Sequence, residues 1–128
     1  MIYLLVGVGG AIGSLLRYGI SLITFNMITT SFPIATLLTN YIGSFILGWL
    51  TYSIIEGKKY PPQLMTAIGT GLIGSFTTFS TFSVETVQLF EDGQYLLGVL
   101  YVLLSLIGGL LSSFMGYQMN TKRKEVNR

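Results

Sequence analysis

Residues Gly71–Phe82 read GLIGSFTTFSTF, and the fold turns on them. The segment sits inside a stretch apolar enough to cross a membrane, yet Ser75, Thr77, Thr78, Ser80, Thr81 and Ser83 crowd hydroxyls between phenylalanines. Glycines weaken a helix, and β-branched threonines form helices only moderately well. In hydrocarbon every backbone polar group needs a partner, so broken helix survives only where protein buries it or where it lines a cavity. Two conformations satisfy the pattern. A local unwinding near Gly74 to Thr77 would release carbonyl oxygens of the kind that coordinate Na⁺ or protons near the midplane of a bilayer. Alternatively the helix stays intact and the hydroxyls bond back to carbonyls one turn earlier.

The composition places this stretch in a membrane. Of 128 residues, 51% are hydrophobic and only 9% charged, with a mean hydropathy of +0.67. A soluble domain of this size cannot cover its surface with so few charges. With no cysteine and no histidine there is no disulfide framework, thiol nucleophile, imidazole base or His/Cys zinc site. The start, MIYLLVGVGG, lacks a basic n-region and a small-residue cleavage site, so it reads as a retained helix and not a signal peptide.

A spanning helix needs about 20 mostly apolar residues. Four runs fit: residues 2–25, which contain Arg17; 33–55, opened by a proline; about 61–90, after Pro61-Pro62 and with Glu85 near the far end; and 95–119, after the turn Glu91-Asp92-Gly93. The expected fold is an all-α integral membrane protein of four transmembrane helices, the third broken near its middle, in a single domain over residues 1–128. Short connections suggest helices packed antiparallel in sequence order. Gly9 and Gly13, and the pairs Gly108–Ser112 and Gly109–Ser113, mark close backbone approach, within one subunit or between two.

With four spans both termini share a side with the second loop. That side collects Lys58, Lys59, Lys122, Arg123, Lys124 and Arg128, whereas the other loops hold Glu91 and Asp92. The positive-inside rule puts the termini in the cytoplasm. The tail KRKEVNR is then a topology anchor, and no nucleic-acid partner is expected.

Several polar groups lie at membrane depth. Phe79 and Phe82 are three apart and share a face once the helix resumes. A ring has a negative face and a positive edge, so rings held edge-on suit an anion. Asn40, in TNYIGSFILGW, offers an amide donor for a ligand or for an interhelical bond. Tyr101 and Ser105 are four apart on the last helix. Polar residues inside a membrane face a protein interior or a water path.

The segments GGAIGSLLRY, TNYIGSFILGW and above all GLIGSFTTFSTFSVE resemble the Fluc (CrcB) fluoride channel family, over essentially the whole chain. The resemblance implies four-helix subunits that pair antiparallel, with two fluoride pores and a central structural Na⁺. Motif for motif, carbonyls of Gly74 and Thr77 from both subunits would hold the Na⁺. Phe79 and Phe82 would be the anion-facing rings and Asn40 a donor. Ser80 and Thr81 would add hydroxyls, and Tyr101 and Ser105 would begin a polar track that continues at position 109, here glycine. Arg17 and Glu85 match charged positions of the family motifs. The implied activity is passive export of cytoplasmic F⁻ through a bacterial-type plasma membrane, giving fluoride resistance without enzymatic chemistry.

Other classes fit less well. A proton-coupled exporter of the small multidrug-resistance type needs an embedded carboxylate, and Glu85 is the sole acidic residue in a span. A membrane serine protease needs a base beside its serine, and none is present within the spans. A purely structural subunit leaves the hydroxyls without a role. For the dimer two arrangements stay open. Either the chain inserts both ways and pairs with itself, or its basic asymmetry fixes one orientation and it pairs with an oppositely biased homologue, which the asymmetry slightly favours.

Overall fold

The computed structural model describes residues 1–27, 31–55 and 60–125, without the side chains of 27, 53–55, 120 and 122–125. The Lys58-Lys59 loop, the basic side chains at 122–124 and Arg128 fall outside that description, so the charge asymmetry stays a reading of the sequence. The described chain is helical, with no strand among the described residues. Helix α1 is Ile2–Met27 and α2 is Ile34–Ile55. A segmented third element follows: α3 (Pro62–Thr66), a π-helix (Ala67–Ile73), the single turn α4 (Gly74–Phe76) and α5 (Phe79–Glu91). The last helix, α6, is Tyr95–Glu125.

Among the described residues three stretches are long and apolar enough to cross a membrane: Ile2–Asn26, Ile34–Tyr52 and Tyr95–Met119. The third element does not qualify as one helix, because Thr77 and Thr78 are extended, with ψ of 157° and 125°. Its ends follow local chemistry. Pro62 occupies the first turn of α3, where a missing N–H costs nothing. At the other end Gly93 takes a φ of 74°. Its N–H bonds to the Phe90 carbonyl at 3.0 Å and that of Gln94 to the Leu89 carbonyl at 2.8 Å, the paired bonds of a glycine helix stop.

Burial is inverted relative to a water-soluble protein. Leucines, valines and phenylalanines cover the outside of α1 and α6, while Thr36, Thr39 and Thr78 are buried and Tyr101 is 0% exposed. An apolar exterior with polar groups turned inward is the arrangement that hydrocarbon favours.

The helices do not pack chiefly with their sequence neighbours. α1 lies along the π-helix and α4, and α2 lies along α6. Each pair runs parallel: Gly9 and Gly13 approach Ala67, Leu72 and Phe76, while Tyr41, Phe45 and Gly48 approach Gly108, Gly116 and Ser113. The expectation that each helix packs chiefly on its sequence neighbours is therefore corrected, and small residues are the reason. A Cβ on Gly9 would lie 2.7 Å from the Ala67 carbonyl oxygen, and one on Gly71 would lie 2.6 Å from that of Val6. Glycine lets these backbones touch where no water-driven force pulls them together. The Gly9/Gly13 and Gly108 surfaces are thus used within the subunit.

Gly13→Ala tests this packing, because its Cβ would run into the Leu72 carbonyl. Thermal unfolding in detergent should report a loss of about 1–3 kcal/mol, the usual cost of overpacking. Gly109→Ala, whose Cβ meets only Ser44 Oγ at 3.9 Å, is expected to be neutral.

Candidate ion site at the helix break

The break lies at Thr77–Thr78, at the downstream edge of the expected Gly74–Thr77 stretch. Gly74 itself is helical, with φ −62° and ψ −31°. The upstream glycines enter a widened π turn and the contact with α1, and they do not unwind the chain. Both conformations suggested by the sequence occur side by side. Thr77 Oγ1 bonds back to the Ile73 carbonyl at 3.0 Å, and Ser83 and Thr86 do the same one turn along α5. Thr78 does not.

Thr78 is held from α2. Its N–H donates to Asn40 Oδ1 at 2.8 Å, and Asn40 Nδ2 donates to the Thr78 carbonyl at 3.0 Å. One carboxamide thereby takes both polar groups of a residue that has left the helix. Thr78 also caps α5: its Oγ1 accepts the Thr81 N–H at 3.1 Å, donates to Thr81 Oγ1 at 2.9 Å and lies 3.3 Å from Ser80 Oγ. In an unbroken helix the Thr78 N–H would serve the Gly74 carbonyl and the Thr81 N–H the Thr77 carbonyl. Both donors are diverted, so these two carbonyls lose their α-helical partners.

A second polar knot surrounds Glu85. Thr36 Oγ1 donates to one carboxylate oxygen at 2.9 Å and the Tyr101 hydroxyl to the other at 2.7 Å. The Tyr101 O–H is thus engaged by Glu85. Its ring sits in a chain of aromatics, 5.1 Å from Phe82 and 5.5 Å edge-on from Phe32, with Phe79 5.7 Å from Phe82. Phe79 is 78% exposed, so one end of this chain opens to the outside of the subunit. Ser105 Oγ is buried without a hydrogen-bond partner.

Arg17 does not join the aromatic chain. It lines a cavity of about 230 Å³ with Ser14, Tyr18, Ser21, Thr36, Thr39, Thr78 and Thr81. Thr36 links this cavity to Glu85, and Thr78 and Thr81 link it to the break. Phe32, Thr36 and Thr39 were not singled out from the sequence, and Thr78 was named among the hydroxyls but not as the residue at the break. The run Thr36-Leu-Leu-Thr39-Asn40, with polar groups at i, i+3 and i+4, carried the signal for the α2 members.

Chemically the region offers neutral hydroxyl donors, aromatic edges, one guanidinium and two carbonyls without helical donors. Such a set can pass a small anion and hold a hard cation.

Residues 4–117 match the family described as CrcB-like protein, Camphor Resistance (CrcB). The chain is 46% identical over 126 residues to "Fluoride-specific ion channel FluC 2" of Geobacillus kaustophilus, covering 98% of each chain. It is 50% identical over 119 residues to "Fluoride-specific ion channel FluC 1" of Bacillus cereus, covering 93% of this chain and 83% of the relative. Against the protein of that name in Desulfitobacterium hafniense it is 49% identical over 116 residues, covering 91% and 97%.

Asn40→Leu strips both partners from Thr78, a buried residue. Its loss of stability, read by thermal unfolding in detergent, should reach about 1–3 kcal/mol for each orphaned group. Asn40→Asp, which keeps the acceptor but sets a second oxygen against the Thr78 carbonyl, is expected to be destabilised in the same measurement.

Proposed function

The chain belongs to the CrcB family, and from that membership we infer that it is the subunit of a fluoride-specific ion channel. It is a multi-pass membrane protein and not an enzyme. F⁻ passes down its electrochemical gradient, and the cell gains resistance by losing the ion that forms when HF enters and ionises. The observation that carries the reading is the helix break, held by Asn40 and followed at once by hydroxyls and phenylalanines.

The finer assignment is ours. The fluoride path runs along Phe79, Phe82, Ser80 and Thr81 on α5 and past Tyr101 and Ser105 on α6, with Asn40 at the break. Ring edges suit an anion without the deep well a fixed positive charge would make. Thr81 receives the Thr78 hydroxyl, which leaves its own O–H to donate. Ser105 Oγ has no protein partner, and an anion would supply one. Arg17 stands in the neighbouring cavity, where it draws anions toward the break.

A structural Na⁺ fits the carbonyls of Gly74 and Thr77, since both helical donors are diverted and hard cations prefer oxygen ligands. The ion would neutralise those oxygens and so stabilise the break. Two carbonyls are too few ligands for a hard cation, so the site calls for a second copy. The proposed assembly is an antiparallel dimer of single-domain subunits, residues 1–128, in a bacterial cell membrane, in which α3 to α5 together make the fourth crossing. A solved dimer with no ion between the paired breaks would remove the Na⁺ site. The exporter reading is weakened by Glu85, both of whose oxygens already accept hydroxyls.

Liposomes carrying the purified protein should release fluoride, and a folded dimer that releases none would overturn the channel reading. Phe79→Ile and Phe82→Ile keep apolar bulk but lose the ring edge. Their fluoride efflux should drop about three- to tenfold, the worth of roughly a kilocalorie of aromatic interaction. Normal efflux in both would reduce the rings to packing.

Orientation is tested by expressing this chain alone and labelling single cysteines placed at Lys58 or Lys59 from each side. Labelling from one side with little efflux is expected from the basic asymmetry, which points to a partner subunit of opposite bias. Equal labelling from both sides with full efflux would establish the self-paired dimer instead.

A further inference from the structure

Asn40 and Tyr41 are neighbours on α2, so their side chains leave the helix about 100° apart. Asn40 reaches the break, while the Tyr41 hydroxyl donates to the backbone carbonyl of Leu104 in the middle of α6. A Cβ on Gly108 would lie 2.6 Å from Tyr41 Cε1, and nearer still to Cζ and the hydroxyl oxygen. The ring therefore occupies a notch that only glycine leaves open. In an α-helix the Leu104 carbonyl takes its bond from the Gly108 N–H, and its second lone pair is open to the phenol. One turn of α6 thus supplies both the notch and the acceptor.

The residue after Leu104 is Ser105, whose hydroxyl is buried and unpartnered. One turn earlier Tyr101 is tied to Glu85. α6 is therefore anchored by outside hydrogen bonds at Tyr101 and Leu104, and Ser105 stands beside both anchors with none of its own. A phenylalanine would fill the notch equally well. What the hydroxyl adds is direction, a bond that fixes how α6 is rotated about its axis.

We propose that Tyr41 is a positioning residue of the ion path: by tying Leu104 it fixes the rotation of α6 and keeps the Ser105 hydroxyl presented to the passing anion. The proposal rests on the reading of Ser105 as a lining residue of a fluoride path. Tyr41 itself does not touch the ion.

The test is Tyr41→Phe, which keeps the ring in its notch and deletes only the tie. Fluoride efflux from liposomes is measured as a function of fluoride concentration. The half-saturating concentration should rise about fivefold, the ratio that one net hydrogen bond can move. A residue that merely helped folding would change the number of active channels, and so the maximal rate, without moving half-saturation. An unchanged half-saturating concentration overturns the proposal whatever the maximal rate. Gly108→Ala, which evicts the ring, should produce the same shift and decides between the outcomes if Tyr41→Phe does not fold. A wild-type protein without saturable fluoride efflux would instead sink the channel reading itself, so the two failures are distinguishable.

Discussion

A peptide unit that leaves a helix inside hydrocarbon must find its hydrogen bonds from protein, because water is absent. In this chain that demand falls on Thr78, and the Asn40 carboxamide meets it from α2 with one donor and one acceptor. The remaining architecture follows from keeping that contact. α2 has to lie beside the break, and Thr36, one turn before Asn40, then reaches Glu85 on α5. Gly9 and Gly13 bring α1 against the segment upstream of the break. Thr39 bonds within its own helix, to the carbonyls of Ala35 and Thr36, so this buried hydroxyl asks nothing of its surroundings.

The same substitution of partners gives the break two electrostatic faces. On the upstream side the carbonyls of Gly74 and Thr77 lose their α-helical donors, which favours a cation. On the downstream side α5 begins at Phe79, and the first amides of a helix favour negative charge. Thr78 caps only one of them, that of Thr81. Cation-seeking oxygens and an anion-seeking helix start are thus set two residues apart by one extended dipeptide.

Much of this was legible in the sequence, and the misses have physical reasons. Helix number and approximate limits follow from apolar runs, prolines and the Gly93 turn, all of which act locally. The break was legible from hydroxyls and glycines in an apolar stretch, but the residue at which the chain opens was not. The expected stretch ran from Gly74 to Thr77, and the chain opens at its downstream edge, Thr77–Thr78, because the deciding partner is Asn40, 38 residues away. Thr36–Glu85 and Tyr41–Leu104 join residues 49 and 63 apart, and one sequence carries no mark of such pairs. The parallel pairing of α1 with the π-helix and of α2 with α6 escaped for a related reason. Glycine spacing marks a face for close approach without naming what approaches.

Glu85 raises the hardest question for the proposed anion path, since a carboxylate beside it would repel the ion. The two hydroxyls bound to it supply the answer. Each donation spreads the carboxylate charge, and each fixes the donor that makes it. Tyr101, 0% exposed and tied to Glu85, cannot turn its O–H toward an anion without abandoning that bond. What it presents is its ring, set against Phe82 and continuing the line of edges from Phe79. On the proposed path, hydroxyl donation to the ion then falls to Ser80, Thr81 and Ser105, whose own O–H groups are less firmly tied to the protein. The proposed path, with ring edges, loosely held hydroxyls and a carboxylate bound from both sides, suits a small anion that must be held without being trapped.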